Sequence, residues 1–206
     1  MSHNGGAHAP LFFVISKRKD ESMRKALDTL YAGALALACL AMVAIAALVL
    51  TQILSRVLDR ALLLAGATPF GFSIPSLSDF GGFLFVAAAT LALPATLRQA
   101  GHVRVTLLLQ LGGRRAQRAL TILVLLAAVG LAGFAAWHSG AQALDSWRFN
   151  SVSFGMVRVP LWIPQSVMTF GFGLLVLALI DEFFAVLRGR EPAFQRAENA
   201  RSDGAQ

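Results

Sequence analysis

Charge is what this sequence has least of. Only 14% of its 206 residues are Asp, Glu, Lys or Arg, whereas soluble proteins carry about 25%. With 56% hydrophobic residues and a mean hydropathy of +0.65, an ordinary soluble domain is excluded. Cysteine occurs once, at Cys39 inside an apolar run. That excludes an intrachain disulfide, makes any metal site depend on other ligands, and leaves Cys39 to be read as a small packing residue. There is no phosphate-cradling glycine loop, no Ser/His/Asp arrangement and no CxxC pair, so the motifs of nucleotide binding, triad hydrolysis and thiol redox chemistry are missing. No Asp, Glu, Lys or Arg falls in the middle of the long apolar runs. Transport sites inside a bilayer usually place such groups there.

What is present is a set of uncharged stretches separated by short charged ones. The central separator is a basic connector from Arg98 to Arg118 that holds five arginines: Arg98, Arg104, Arg114, Arg115 and Arg118. One arginine at a bilayer centre costs roughly 2.5 to 3.5 kcal/mol, so this segment belongs in water or at the headgroups. Basic residues accumulate on the cytoplasmic side, which fixes one helical hairpin before the connector, one after it, and both termini inside. Fourteen of the 18 Lys and Arg residues then lie on inner segments, leaving only Arg56, Arg60, Arg148 and Arg158 outside. Trp137, Trp147 and Trp162 cluster near the outer ends of the third and fourth runs, as an aromatic belt requires. The net charge of +7 and pI near 11 are read as topology signals beside anionic lipid, not as a nucleic-acid surface, because the basic residues border the apolar runs.

The expected fold class is therefore all-α: a polytopic membrane protein with four transmembrane helices in two hairpins, plus a short interfacial amphipathic helix in the connector. Residues 1–25 read as a disordered, basic cytoplasmic segment, residues 26–188 as the membrane domain, and residues 189–206 as a disordered cytoplasmic tail. Met23-Arg24-Lys25 resembles the start of a signal peptide. Ala36-Leu37-Ala38-Cys39 resembles a lipoprotein box, but Ala36 stands where Leu is usual and the apolar run continues past Cys39. An uncleaved signal anchor follows, and both Met1 and Met23 fit as its first residue.

The 27 residues between Asp28 and Arg56 carry no charge, which makes a helix of about 40 Å against a hydrocarbon core of roughly 30 Å. Helix 1 is expected to tilt or to project outward, with Asp59 paired to Arg56 one turn away. Gly66, Pro69, Gly71 and Pro75 end it in the first outer loop. Helix 2 is expected from near Asp79 to Leu97, with Arg98 snorkelling at its inner end and Pro94 as a candidate kink. Val103 to Leu111 gives the interfacial helix, ended by Gly112-Gly113. Helix 3 is expected within Ala119 to Leu144, with Gly130, Ala132, Gly133 and Ala136 as a small-residue surface for close helix contact. Asp145, Arg148 and Arg158 fall in the second outer loop. Helix 4 is expected over Val159 to Ile180, with Pro160 and Pro164 in its first turns.

The polar residues at depth are mild ones such as Thr90, Thr121 and Thr169, which at such positions bond to their own helix. Four such spans enclose little volume and hold no buried charge, so the chain reads as a partner subunit and not a self-sufficient carrier. His102 and His138 raise a haem reading, but the topology puts them at opposite interfaces, whereas a bis-histidine haem needs both imidazoles across one gap.

The run Leu93-Pro-Ala-Thr-Leu-Arg-Gln-Ala-Gly-His102-Val-Arg104-Val-Thr-Leu-Leu resembles the small membrane subunit of tripartite ATP-independent periplasmic (TRAP) transporters. In that family a short connector begins with His, an aliphatic residue, a variable residue and Val. Arg56 soon after helix 1, the acidic Asp79 opening helix 2 (usually Glu in the family) and Pro160-Leu-Trp162 opening helix 4 match in order and spacing. Thr106 departs from the family, which often has Asp there.

The resemblance covers about residues 26–188. It implies no enzymatic activity and no cofactor bound by this chain. It implies pairing with a large permease subunit that binds solute and usually sodium, and a periplasmic solute-binding protein that delivers an organic acid. Location in the bacterial inner membrane follows. The residues expected to meet the large subunit or lipid are His102 and Arg104, anchoring the connector; Arg56 and Asp79, bracing the first outer loop; and Pro160 and Trp162. The competing readings are a non-transport membrane anchor, such as that of a haem-bearing quinone enzyme, and a small exporter working alone.

Overall fold

The structure, a computed structural model, describes residues 11–98 and 114–188, with side chains described over 25–98 and 118–188. Four helices make up nearly all of it: α1 (Leu11–Leu64), α2 (Leu77–Arg98), α3 (Arg114–Arg148) and α4 (Trp162–Leu187). Each is long and apolar enough to cross a membrane. Among the described residues there is no strand, only an isolated antiparallel bridge between Val152 and Pro160. The all-α expectation with four candidate spans is met.

The boundaries differ from the sequence reading in ways that have physical causes. α1 is helical from Leu11, well ahead of residue 26, because no proline or glycine interrupts residues 11–32. α3 runs on through Asp145 to Arg148, so these two charges close its last turn and do not sit in a loop. Arg148 there complements the carbonyl end of the helix. α4 starts at Trp162, which leaves Pro160 in the connecting segment and only Pro164 in the first turn. The interfacial helix expected at Val103 to Leu111 lies outside the described residues, as do His102, Arg104 and the tail from 189 onward.

In space the helices lie in the order α1, α2, α4, α3, with α2 and α4 as the inner pair. The termini of α1 and α4, with the ends joined by the connector, gather at one end; the loops between α1 and α2 and between α3 and α4 gather at the other. Hydrocarbon tails are as apolar as leucine, so burial alone does not drive helices together in a membrane; close packing does. One core cluster joins Tyr31, Ala34 and Ala38 of α1 to Leu91 of α2 and Leu174 and Ala178 of α4. A second joins Leu125 and Ala132 of α3 to Leu179 and Val186 of α4. The alanines let the backbones approach.

The tightest approach is between α2 and α4. A Cβ built on Gly171 would lie 2.7 Å from Thr90 Cβ and 2.8 Å from its carbonyl carbon. Pro94, fully buried, lacks the N–H that would bond the Thr90 carbonyl, so Gly171 packs on the turn that proline has altered. The small-residue surface expected on α3 is only partly used. Ala132 is buried, but nothing lies within 4 Å of a Cβ built on Gly130 or Gly133. The glycine of α3 that does approach α4 closely is Gly140, 3.3 Å by the same construction from Thr169 Cγ2.

Candidate functional site

At the connector end, Arg98 closes α2. Its guanidinium pairs with Asp28 of α1 and, at 3.1 Å, with Asp181 of α4. It also sits over the ring of Tyr31, 4.6 Å from the ring centre, a cation–π geometry. The Arg98 side chain is only 20% exposed. The snorkelling expected for Arg98 is therefore corrected: the side chain turns inward and joins three helices. The cause is that α1 and α4 bring Asp28 and Asp181 to the same level, and a planar fork bridges two carboxylates better than it hydrates alone. Glu182 is buried beside this group. Arg118, the first charged residue of α3 with a described side chain, donates to the backbone carbonyls of Leu187 at 3.0 Å and Val186 at 3.4 Å, satisfying acceptors that the end of α4 leaves open.

At the loop end the polar groups lace the loops to the helices. Asp59 accepts from the backbone N–H of Phe70 at 2.7 Å and of Gly71 at 3.2 Å. The expected Asp59–Arg56 pair is thus corrected: Asp59 caps the returning loop, where two convergent amides outcompete one solvated guanidinium. Gln52, buried on α1, accepts from the Ile74 N–H at 2.9 Å. The loop turns back down α1 through Gly66 and Gly71, both at positive φ, a conformation glycine adopts without a Cβ penalty. Ser76, also at positive φ, receives the Val157 N–H at 2.9 Å and so ties the two loops together. Ser153 organises the second loop, donating to the Val157 carbonyl and accepting from the Val159 N–H, both at 3.0 Å.

Asp79 opens α2 in its first turn, where a carboxylate suits the helix dipole. It lies against the second loop: a Cβ on Gly155 would overlap its carboxylate, so a larger residue there would have to push Asp79 aside. Arg56 is exposed on α1 and makes no hydrogen bond or ion pair among the described residues. The structure does not bring Arg56 and Asp79 together; Gln52 and Asp59 hold the first loop. Pro160 pairs with Val152 across the second loop, and Trp162 is half-exposed at the start of α4. The His138 ring lies against Phe134, ring centres 4.2 Å apart and planes tilted by 51°, on an exposed stretch of α3.

Between Asp79 and Arg98 are 19 residue steps, about 28 Å of helix, close to the thickness of a hydrocarbon core. The charges thus fall at the two edges of the span and leave the middle dry. The chain matches the family described as tripartite ATP-independent periplasmic transporters, DctQ component, over residues 48–189. It belongs to this family. Among curated proteins no relative matches the chain. As a DctQ component it is a small membrane subunit of a TRAP transporter, a multi-pass protein from a transporter family and not an enzyme family. The match includes Arg56, Asp79, Pro160 and Trp162, the connector with His102 and Arg104, and both loops.

Sequence reasoning missed Gln52, Ser76 and Ser153. An uncharged glutamine and two serines beside apolar runs carry no distinguishing pattern. Asp28 and Asp181 bound the first and last apolar runs, but nothing in the sequence links either of them to Arg98.

Proposed function

We propose that this chain pairs with a large TRAP permease subunit and serves as a static part of the membrane scaffold. The permease would carry out sodium-coupled uptake of an organic acid handed over by a periplasmic solute-binding protein. This places the chain in the bacterial inner membrane with both termini cytoplasmic, in keeping with the basic residues gathered at the connector end. The observation that carries the reading is the division of labour along the spans: charges knit the two ends together and none lies between. A wall that stays still needs tied ends and close packing, while a carrier needs a polar site at depth. His102 and Arg104 are assigned to anchoring the connector on the large subunit or lipid headgroups. Arg56, Asp79, Pro160 and Trp162 are assigned to the loop-end contacts with the large subunit or lipid. Co-purification with the permease tests this. His102→Ala and Arg104→Ala together should lower recovery of the complex several-fold. Full recovery with full transport would remove the anchoring role.

A further inference from the structure

All three tryptophans of the chain border one groove. It lies between α3 and α4 toward the loop end, has a volume of about 780 Å³, and is lined by Trp137, Trp147 and Trp162 with Gly140, Ala141 and Phe170 among the other walls. Its two hydroxyl side chains are already satisfied. Ser166 donates to the Trp162 carbonyl at 2.6 Å and Thr169 to the Gln165 carbonyl at 2.8 Å. No charged side chain lines it. Such a surface offers a polar solute nothing, and its volume lies in the range of small-molecule sites, about 300 to 1,000 Å³.

The stretch of chain that could fill it from within is limited. The segments outside the described residues, 1–10, 99–113 and 189–206, all attach at the connector end, on the other side of the span. The groove also has a depth and a rim. From Trp137 to Trp147 the helix rises about 15 Å, half of a 30 Å hydrocarbon core and so the depth of one leaflet. Along α3, Trp137, Ala141 and Leu144 line the groove, at spacings of four and three that keep one face. Arg148 is the next residue of that row, one turn above Leu144. It is exposed, and among the described residues it makes no hydrogen bond or ion pair.

We propose that this groove holds a phospholipid of the leaflet at the loop end. An acyl chain would lie between the tryptophans and the phosphate would meet Arg148. Apolar walls one leaflet deep, the indoles of Trp147 and Trp162 near the headgroup level and an unpaired cation one turn above Leu144 complement that one molecule. A partner helix about 10 Å across would cover the walls but would leave the arginine without an anion.

The three tryptophans supply the readout. The full chain is reconstituted in vesicles containing about 5 mol% of a phospholipid brominated on its acyl chains, which quenches indole fluorescence on contact. The expected result is quenching at least two-fold above that seen when the same bromines are diluted at random, greater for phosphatidylglycerol than for phosphatidylcholine. Arg148→Gln should remove the difference between the two headgroups. Ala141→Phe, at an exposed groove position, should bring quenching down to the random level. Arg60→Gln, on the far arm of α1, should change neither. Quenching that follows bulk lipid content in every variant would overturn the proposal. So would excess quenching that vanishes when the large permease subunit is added, because the occupant would then be a protein helix.

Discussion

Arg98 is the residue on which α1, α2 and α4 converge, and its replacement should cost accordingly. The pair with Asp181 is mostly covered while Asp28 is more than half exposed. The cost therefore falls between that of a surface pair and that of a fully buried one, about 1 to 3 kcal/mol. Arg98→Gln should lower the thermal midpoint of the purified chain in detergent. Arg98→Lys should restore only part of it, since a point charge cannot bridge two carboxylates as a fork does. Equal midpoints for all three proteins would show that the pairs do not stabilise the fold. This contact was not legible in the sequence beforehand. Arg98 stands 70 residues from Asp28 and 83 from Asp181, and a lone basic residue at a helix end looks the same whether it faces lipid headgroups or its own fold. Asp59 misled for the related reason that Arg56, one turn away, was visible and the amides of Phe70 and Gly71 were not.

At the scale of elements, the four helices could be read from their uncharged lengths, but not their neighbours. Hydropathy does not say which small residues touch. Gly130 and Gly133 looked like a contact face and meet open space, whereas Gly171 carries the closest crossing. Gly171→Ala should therefore destabilise the chain by about 1 to 3 kcal/mol, since the clash is with the Thr90 backbone as well as its side chain. Gly130→Ala should leave stability unchanged or raise it by a few tenths of a kcal/mol, as helix propensity favours alanine. Thermal unfolding of the two variants side by side separates these outcomes. The loops behave likewise. Gly155→Ala should push Asp79 aside and free the Val157 N–H from Ser76, seen as faster hydrogen exchange at Val157. Asp59→Ala should do the same for Phe70 and Gly71, each loop responding to its own lesion. The helix ends were misjudged where a charge closes a last turn, as Asp145 and Arg148 do in α3.

For the whole molecule, the four candidate spans and the family were legible because the cost of burying charge leaves few places for this distribution of arginines. The partner contacts were less so: His102 and Arg104 lie outside the described residues, and Arg56 and Asp79 serve different parts of the loop end. The account rests on a dry, tied-together helical array that moves no solute itself. Radiolabelled organic-acid uptake into proteoliposomes tests this most directly. The chain alone should give no flux above empty vesicles. The chain with its large permease subunit and solute-binding protein should give sodium-dependent uptake that is lost when this chain is left out. Uptake by the chain alone at the rate of the full assembly would contradict the account.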